Sequence, residues 1–338
     1  MKLYCGIDLH SNNSVVSIVN ESDRIMYEKR LPNDLAVIAG QLSPYAEDIQ
    51  GIVVESTYNW YWLVDGLMDA EYRVHLANTA AIVQYSGLKH SDDESDARHL
   101  AHLLRLGILP EGYIYPRESR GIRDLLRRRR LYVQQRTAQI LSLQSLMARE
   151  TGQHPGSQAI KQLDQDQLVE LLGDRSACMA AQLALETIAE LGDKIKRLEQ
   201  WVMANNPDPG AYELLTSIPG VGPILGLTIQ LETGDISRFK APGNYASYAR
   251  CVRSDKLSNH KLKGRGNAKN GNKYLCWAFV EAGHYAAIWN AEINRYYQRK
   301  KAKKPIMVAK KALANKLARA CYHMLTRKEP FDVERAFQ

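Results

Sequence analysis

The feature that most constrains the fold of this chain is the order of strand-like and helix-like segments in its first 115 residues. Three strand-like segments come first, at Leu3–Leu9 and at residues 14–19 and 24–31. Each is short and either apolar, β-branched or alternating in polarity, and turns of glycine, asparagine, serine and aspartate separate them. The chain is therefore predicted to begin with three consecutive strands.

Strand-like and helix-like patterns alternate in the rest of this region. Asp34 is placed to cap the first helix. The alternating segments are a helix at residues 36–42, a buried strand at 51–54, a helix at 58–68, a strand at 72–76 and a helix at 96–106. Three strands followed by strands that alternate with helices is the order of a ribonuclease-H-like fold. We therefore predict an α/β domain of this fold over residues 1–116, with the order of strands in the sheet left open.

The remaining two thirds of the chain are predicted to be helical. Residues 117–205 combine recurrent leucines with frequent charges and are broken at 153–156, which predicts an antiparallel helical hairpin or a coiled coil. Because long amphipathic arms usually pack against a partner, we expect an oligomer. A polar linker at 205–210 leads into a mostly helical C-terminal domain, residues 206–338, with a loop rich in glycine, asparagine and lysine at its centre.

Composition limits the class of protein. The 338 residues are 45% hydrophobic and 24% charged, as in a globular protein, and no apolar run reaches the ~18 residues that a membrane span needs. The five cysteines are odd in number and are never spaced as Cys-x-x-Cys, so neither a disulfide framework nor a zinc site is expected. These features fit a reducing cytoplasm.

Charge is distributed unevenly along the chain. The net charge of +8 divides into −8 for residues 1–115, +3 for residues 116–205 and +13 for residues 206–338. Between Lys240 and Lys328 there are 21 basic residues and three acidic ones. A concentrated positive charge can neutralise phosphates and release their counterions, so nucleic acid is the expected partner. The alternative is an ordinary solvated basic surface.

Four carboxylates lie where the predicted fold would bring them to one edge of the sheet. Asp8 ends the first strand and Glu55 ends the fourth. Asp93 and Asp96 are three residues apart at the start of a helix, so they can share one face. Two-metal phosphoryl transfer needs such a cluster, and we predict that it binds Mg²⁺, with Mn²⁺ as a substitute. Chance placement of surface acids is the weaker explanation for Asp8 and Glu55, because each follows apolar residues that should be buried.

A sugar kinase or an actin-like ATPase would share this sheet and its initial Gly-Ile-Asp strand. The phosphate loops of those enzymes need a glycine with threonine or serine directly after that aspartate. Residues 9–13 of this chain read Leu-His-Ser-Asn-Asn and contain no glycine. The sequence therefore argues against an ATPase.

The C-terminal domain contains a candidate phosphate-binding turn. Residues 218–222, Ile-Pro-Gly-Val-Gly, resemble the turn of a helix-hairpin-helix. Gly220 and Gly222 allow a tight turn whose amides, together with the next helix N-terminus, can hold a phosphate. The alternative is that the turn only joins two core helices.

A basic loop at residues 253–273 is the second candidate for nucleic-acid contact. Its predicted phosphate-binding residues are Lys261, Lys263, Arg265, Lys269 and Lys273. Ser254 and Ser258 lie among these cations, which can stabilise negative charge near a hydroxyl. The residues alone leave a simple hydrogen-bonding role open for both serines.

Together these motifs resemble the DEDD transposases of bacterial insertion sequences, which are bridge-RNA-guided recombinases with a RuvC-like domain, a coiled coil and a C-terminal transposase domain. The motifs are Gly-Ile-Asp8, Val-Glu55-Ser-Thr-Tyr, Asp93-Glu-Ser-Asp96-Ala-Arg, the Ile-Pro-Gly-Val-Gly turn, and Ser258-Asn with the following Lys-Gly and Asn-Gly-Asn-Lys. They follow the same order over residues 3–328.

The resemblance implies a DNA recombinase acting in the bacterial cytoplasm, at the nucleoid. It implies that Mg²⁺ binds the quartet Asp8, Glu55, Asp93 and Asp96, that Ser258 joins covalently to a DNA end, and that exchange passes through a Holliday junction. A structured non-coding bridge RNA would pair with donor and target DNA, and subunits would act as a dimer of dimers with the serine of one facing the quartet of another. Two alternatives are a RuvC-like junction resolvase or nuclease that uses water, and a non-catalytic nucleic-acid scaffold.

An RNA partner would be held partly by the first helical arm. Arg127, Arg128, Arg129 and Arg130 form an unbroken run. Four consecutive helical residues point around every side of the helix, so these arginines cannot all serve one salt-bridged face. We predict that they contact RNA; the alternative is a solvated helix.

Ser258 is predicted to be the nucleophile in preference to Ser254. Asp255 directly follows Ser254, and its carboxylate would disfavour an alkoxide and repel a phosphate. Lysines at positions 256, 261 and 263 are the charged residues nearest to Ser258 on either side, apart from Asp255. The family motif also falls on Ser258.

Overall fold

The computed structural model describes residues 1–82, 93–253, 255–259, 261–265 and 270–337. It does not describe the side chains of residues 165, 255–258, 262 and 265. The chain forms two compact units, Met1–Ile114 and Tyr115–Gln338. In the described residues, no helix has both the length and the hydrophobicity that crossing a membrane requires.

The N-terminal unit is built around one mixed sheet. Its strands are β1 (Leu3–Leu9), β2 (Asn13–Asn20), β3 (Ile25–Pro32), β4 (Ile49–Glu55), β5 (Val74–Ala77) and β6 (Glu111–Gly112). Its helices are α1 (Leu35–Leu42), α2 (Tyr61–Asp69) and α3 (Asp93–Arg105). Asp34 caps α1, as predicted, because its side chain accepts hydrogen bonds from two amides of the first turn.

The strand order explains why β1 is the centre of this unit. The order across the sheet is β3-β2-β1-β4-β5-β6. The first three strands pair antiparallel, β1, β4 and β5 pair parallel, and β6 returns antiparallel. This mixed α/β arrangement agrees with the ribonuclease-H-like fold predicted from the sequence, and the three-strand beginning is confirmed.

The two faces of the sheet are covered by different helices. Alternate residues of β1, including Leu3 and Ile7, belong to an apolar core whose helical members come from α1 and α2. Helix α3 covers the opposite face so closely that a Cβ at Gly6 would overlap the backbone of Ala97 and Ala101. Gly6 therefore lets the start of α3 approach the end of β1.

Two long helices dominate the first part of the second unit. Helix α4 (Arg117–Thr151) is followed by the short helices α5 (Ser157–Ile160) and α6 (Gln165–Leu172) and then by α7 (Arg175–Ala204). Gly152, with φ of 71°, ends α4 directly before the predicted break at 153–156. The early part of α4 packs near the end of α7, and its later part packs near the beginning of α7, so the pair is antiparallel. Coiled-coil winding stays a prediction.

The rest of this unit is mostly helical, as predicted. Its helices are α8 (Pro209–Thr216), α9 (Pro223–Thr233), α10 (Pro242–Tyr248), α11 (Lys273–Trp289), α12 (Ala291–Lys301), α13 (Ile306–Arg327) and α14 (Val333–Phe337). Their core centres on buried side chains of α10, α11 and α13 such as Tyr245, Phe279 and Leu317. Aromatic rings and alanines fill this core, which lets the helices approach closely.

The basic loop contains structure that the sequence analysis did not predict. Residues 255–265 form an antiparallel hairpin of β7 (Asp255–Ser258) and β8 (Lys261–Arg265). Ser258 pairs with Lys261, and Asn259, which follows Ser258, takes a positive φ of 50°. Asparagine tolerates this conformation better than most residues, which favours the turn. The sequence did not predict these short strands because its high content of lysine and glycine is typical of a loop.

Candidate active site

Asp8 and Glu55 are brought together by two parallel strands. Ile7 of β1 is in register with Val54 of β4, so the next residue on each strand lies at the same edge of the sheet. Asp8 is only 3% exposed. Burial, a hydrogen bond to Asp8, and the charges of Asp8 and Asp96 raise the pKa of Glu55 to about 8. Glu55, at the end of β4, therefore retains a proton more readily than a free glutamate does.

The two aspartates of α3 lie near Asp8 and Glu55 but interact with different members of the cluster. Asp96 is close enough to Glu55 for its charge to contribute to the raised pKa. Asp93 is linked to Asp8 through His10, whose Nε2 lies 3.2 Å from an Asp93 oxygen and 3.3 Å from an Asp8 oxygen. The close packing of α3 on β1 explains this convergence. All four predicted carboxylates thus lie in one cluster.

His10 is a member of this cluster that the sequence analysis did not single out. One ligand atom each from Asp8, His10 and Asp93 can be chosen so that all three lie within 4.8 Å of one another. The Nε2 of His10 is buried and has no hydrogen-bond partner among the described residues. The sequence could have indicated His10, because it is two residues after Asp8 and residues two apart in a strand lie on the same face.

Arg30 supplies a permanent positive charge at the edge of the cluster. Its guanidinium donates a 2.6 Å hydrogen bond to an oxygen of Asp93 and another, of 3.0 Å, to the side chain of Asn13. The bond from Arg30, aided by the charge of His10, lowers the pKa of Asp93. Asp93 is therefore held ionised, whereas Glu55 tends to keep a proton.

The donor set fits a divalent metal ion. Carboxylate oxygens are the ligands that Mg²⁺ and Mn²⁺ prefer, and imidazole nitrogen is acceptable to Mn²⁺. Burial raises the pKa of Glu55 most, and the hydrogen bond to Asp8 and the charges of Asp8 and Asp96 raise it further; a bound cation would relieve the repulsion among these carboxylates. The buried Nε2 of His10, without a hydrogen-bond partner in the described structure, is a second observation in favour of this fit.

The structure describes the predicted serine loop only in part. Ser258 ends β7, but its side chain is not described, and Ser254 and Lys269 lie outside the described residues. Lys261 and Lys263 are exposed on β8, and Arg265 ends that strand. Lys273 is exposed at the first position of α11. Lys261, Lys263 and Lys273 are therefore exposed to solvent, and their contact with nucleic acid stays a prediction.

The four consecutive arginines of α4 have different surroundings. Arg127 donates two hydrogen bonds to the buried Glu232, at 2.6 and 2.8 Å. Arg129 makes a 2.6 Å ion pair with Glu199 of α7, and the guanidinium of Arg130 lies 4.8 Å from the ring centre of Trp277. Arg128 is exposed. They point around the helix, as predicted, but Arg127 and Arg129 are already paired with carboxylates.

A buried polar network ties the end of the basic loop to α4 and α9. Glu232, near the end of α9, accepts a 2.7 Å hydrogen bond from the side chain of Asn272 as well as those from Arg127. Asn272 in turn caps α11 by accepting hydrogen bonds from the amides of Tyr274 and Leu275. The members of this network are far apart along the chain, so local sequence patterns do not predict it.

The predicted helix-hairpin-helix turn joins α8 and α9. Gly220 has φ of 84°, and a Cβ there would overlap the backbone of α11 at Ala286, so this glycine is required by packing. Gly222 is the N-cap of α9, and a Cβ there would meet open space. The structure thus gives Gly220 a structural role, and phosphate binding by the turn stays a prediction.

Comparison with known families agrees with this geometry. A family model of IS110 DEDD transposases, described as "Transposase", matches residues 5–151. A second, described as "Transposase IS116/IS110/IS902 family", matches residues 212–298. Together the two matches cover more than half of the chain. The first contains all four clustered carboxylates, and the second contains the basic hairpin.

Two relatives from insertion elements match shorter segments. The 44.8 kDa protein of insertion element IS116 from Streptomyces clavuligerus is 26% identical over 136 residues, which is 40% of this chain and 34% of the relative. A Streptomyces coelicolor mini-circle protein, named as a transposase for IS117, is 32% identical over 131 residues, which is 37% and 30% of the two chains. The matched segments span about a third of each relative. From the two family matches, this chain belongs to the IS110 family of DEDD transposases.

Proposed function

We propose that this protein is an insertion-sequence transposase that cuts and exchanges DNA strands. The observation that carries the proposal is the convergence of Asp8, Glu55, Asp93 and Asp96 at one sheet edge, in a chain of this family. The four carboxylates would hold Mg²⁺, or Mn²⁺ in its place. When bound, the metal supplies positive charge that stabilises the attacking and leaving oxygens of a phosphodiester.

The residues of this chain have separate roles in the proposed reaction. Ser258 Oγ loses its proton and bonds to a DNA phosphorus, while one ester oxygen of the DNA leaves and is protonated; rejoining reverses these steps. The hairpin lysines Lys261 and Lys263 would hold the DNA backbone near that serine. Asp93, kept ionised beside Arg30, is a ready ligand at neutral pH.

The proposed partners are donor DNA, target DNA and a structured bridge RNA. The net charge of +13 over residues 206–338 supports nucleic-acid binding. The exposed Arg128 supports a contact of α4 with a phosphate. Exposed apolar side chains on the long helices, including Leu141 and Leu183, support assembly into a dimer or tetramer in the bacterial cytoplasm.

Covalent-adduct formation on an end-labelled DNA substrate tests the reaction. With Mg²⁺, we expect wild-type protein to form an adduct that survives denaturation, Ser258→Ala to form none, and Ser254→Ala to form one at a reduced rate. Mixing Ser258→Ala with Asp8→Asn should restore part of the activity if the serine and the carboxylates come from different subunits. Metal-dependent cutting without any adduct would contradict the serine nucleophile and would indicate a nuclease or junction resolvase that uses water.

The RNA part of the proposal is tested separately. Purified protein should carry a discrete RNA, and removing it with ribonuclease should abolish sequence-specific recombination. Adding the RNA back should restore it. Normal recombination by RNA-free protein would show that no guide is needed.

A further inference from the structure

We propose that His10 is an additional metal ligand of the carboxylate cluster, bound through Nε2, and that it raises the affinity of the site for Mn²⁺ relative to Mg²⁺. The inference rests on the metal site of the proposed function. It adds a nitrogen donor to what the sequence analysis predicted as an all-carboxylate site.

Geometry places Nε2 between two of the proposed ligands. It lies 3.3 Å from Asp8 Oδ2 and 3.2 Å from Asp93 Oδ2. These two residues come from different elements, β1 and α3, so His10 stands at the point where the elements meet. An ion bound by both aspartates would have this nitrogen within reach.

Ion pairing alone does not account for the position of His10. Asp93 already has a permanent counter-charge, because Arg30 donates to the same oxygen at 2.6 Å. The Nε2 of His10 lies within ion-pair distance of two carboxylate oxygens, but it is buried and makes no well-aligned hydrogen bond in the described structure. A metal ion held by the same two aspartates would give this nitrogen a direct bond.

The backbone of His10 is held so that the ring stays in this place. Its carbonyl oxygen accepts hydrogen bonds from the side-chain amides of Asn33 and Asn59, at 3.0 and 2.9 Å. Those amides are oriented in turn by the hydroxyls of Ser14 and Thr57, which donate to their oxygens. A preorganised ligand loses little freedom on binding, so this clamp favours coordination.

The identity of the donor predicts the metal preference. Mg²⁺ is a hard ion that takes oxygen ligands, whereas imidazole suits transition metals and is tolerated by Mn²⁺. Replacing His10 with glutamine removes the nitrogen but keeps a polar side chain of similar length. The affinity for Mn²⁺ should then fall by about tenfold or more, and that for Mg²⁺ by less.

Pulsed electron paramagnetic resonance of full-length protein loaded with Mn²⁺ is the direct test. Wild-type protein should show a nitrogen coupling from a bound imidazole, and labelling histidine with ¹⁵N should change its frequency. His10→Gln should lose the coupling while still binding Mn²⁺. His75→Gln, in the same unit, and His90→Gln, which lies outside the described residues, should both keep it. The ¹⁵N comparison needs no variant, so a misfolded His10→Gln would not block the test.

The outcomes separate this inference from the proposed function. Mn²⁺ bound by wild type but lost in Asp8→Asn, with no nitrogen coupling in either, would overturn the role of His10 and leave the carboxylate site standing. If His90→Gln loses the nitrogen coupling and His10→Gln keeps it, the bound nitrogen belongs to His90. This result would also overturn the proposed role of His10. If wild-type protein binds no Mn²⁺, the metal site of the proposed function is itself contradicted.

Discussion

The N-terminal and C-terminal units each bury a carboxylate, and they treat it in opposite ways. Asp8 is 3% exposed and lies beside Glu55, whose pKa is raised by burial and, to a smaller extent, by Asp8 and Asp96. Glu232 is 2% exposed and receives two hydrogen bonds from Arg127 and one from Asn272. The first carboxylate has other carboxylates beside it and the imidazole of His10 at 3.3 Å, whereas the second is paired with a guanidinium of its own unit.

This difference separates a structural charge from a functional one. A buried carboxylate that accepts hydrogen bonds from a bidentate arginine and an amide has its counter-charge inside the fold. A buried carboxylate with other carboxylates close by lacks a full counter-charge of that kind, and a bound cation can supply one. We therefore expect changes at Glu232 to act mainly on stability and changes at Asp8 to act mainly on chemistry.

The largest expected effect is on strand cleavage by Asp8→Asn. Loss of one ligand should lower the rate on the order of a thousandfold, because it removes charge stabilisation of several kcal/mol from the transition state. The measurement is single-turnover cleavage at saturating Mg²⁺. Glu94→Gln, an exposed acid on the first turn of α3, is the matched control and should cleave as wild type does. Undiminished cleavage by Asp8→Asn would show that Asp8 is not needed for the chemistry and would contradict the functional role expected for this carboxylate.

The next effect is on folding stability at Glu232. Glu232→Gln should lower the free energy of unfolding by about 3 kcal/mol, since it removes the charge of a carboxylate that is 2% exposed and leaves Arg127 without its counter-charge. Denaturant unfolding measures it. Glu199→Gln, which breaks the more exposed pair with Arg129, should cost less than about 1 kcal/mol. Equal losses for the two variants would show that burial of Glu232 does not set its importance.

A smaller effect is the pH dependence that Glu55 brings to the metal-free protein. Its pKa is raised to about 8 in the fold from 4.5 in the unfolded chain, so the folded state binds this proton more tightly. Unfolding therefore releases a proton between these values, and stability should fall as pH rises from about 4.5 towards 8. Glu55→Gln should flatten that decline in thermal melts, whereas Glu94→Gln should not. Metal affinity of the wild type should rise over the same interval, because binding needs the ionised carboxylate.

The smallest effect concerns the arginine run. Arg128→Ala should weaken nucleic-acid binding about equally for all sequences and reduce the slope of log affinity against log salt by about 1, as loss of one phosphate contact does. Arg129→Ala should leave that slope unchanged, because its charge is already paired with Glu199. Binding isotherms at several salt concentrations decide this. Equal slopes of log affinity against log salt for the two variants would mean that the ion pair with Glu199 does not prevent Arg129 from contacting nucleic acid.

Several features were predictable because they depend on neighbours in sequence. The three initial strands, the cap at Asp34, the helical arms and the break after α4 all follow from local patterns of polarity and turn residues. Asp8 and Glu55 could be singled out because each follows a buried apolar segment. The β7–β8 hairpin was missed, since its composition is that of a loop and its pattern spans only a few residues.

Local sequence patterns predict most strands and helices of the chain and the carboxylates at their ends, because backbone preference and apolar periodicity are local properties. Which charges are compensated follows only from the packed fold. Arg127 and Glu232 are 105 residues apart, and Arg30 and Asp93 are 63 apart, yet each pair meets at 2.6 Å. The packed fold also places His10 between two aspartates. Electrostatic interactions depend on distance in space and on burial, and neither quantity exists until the sheet and helices have packed.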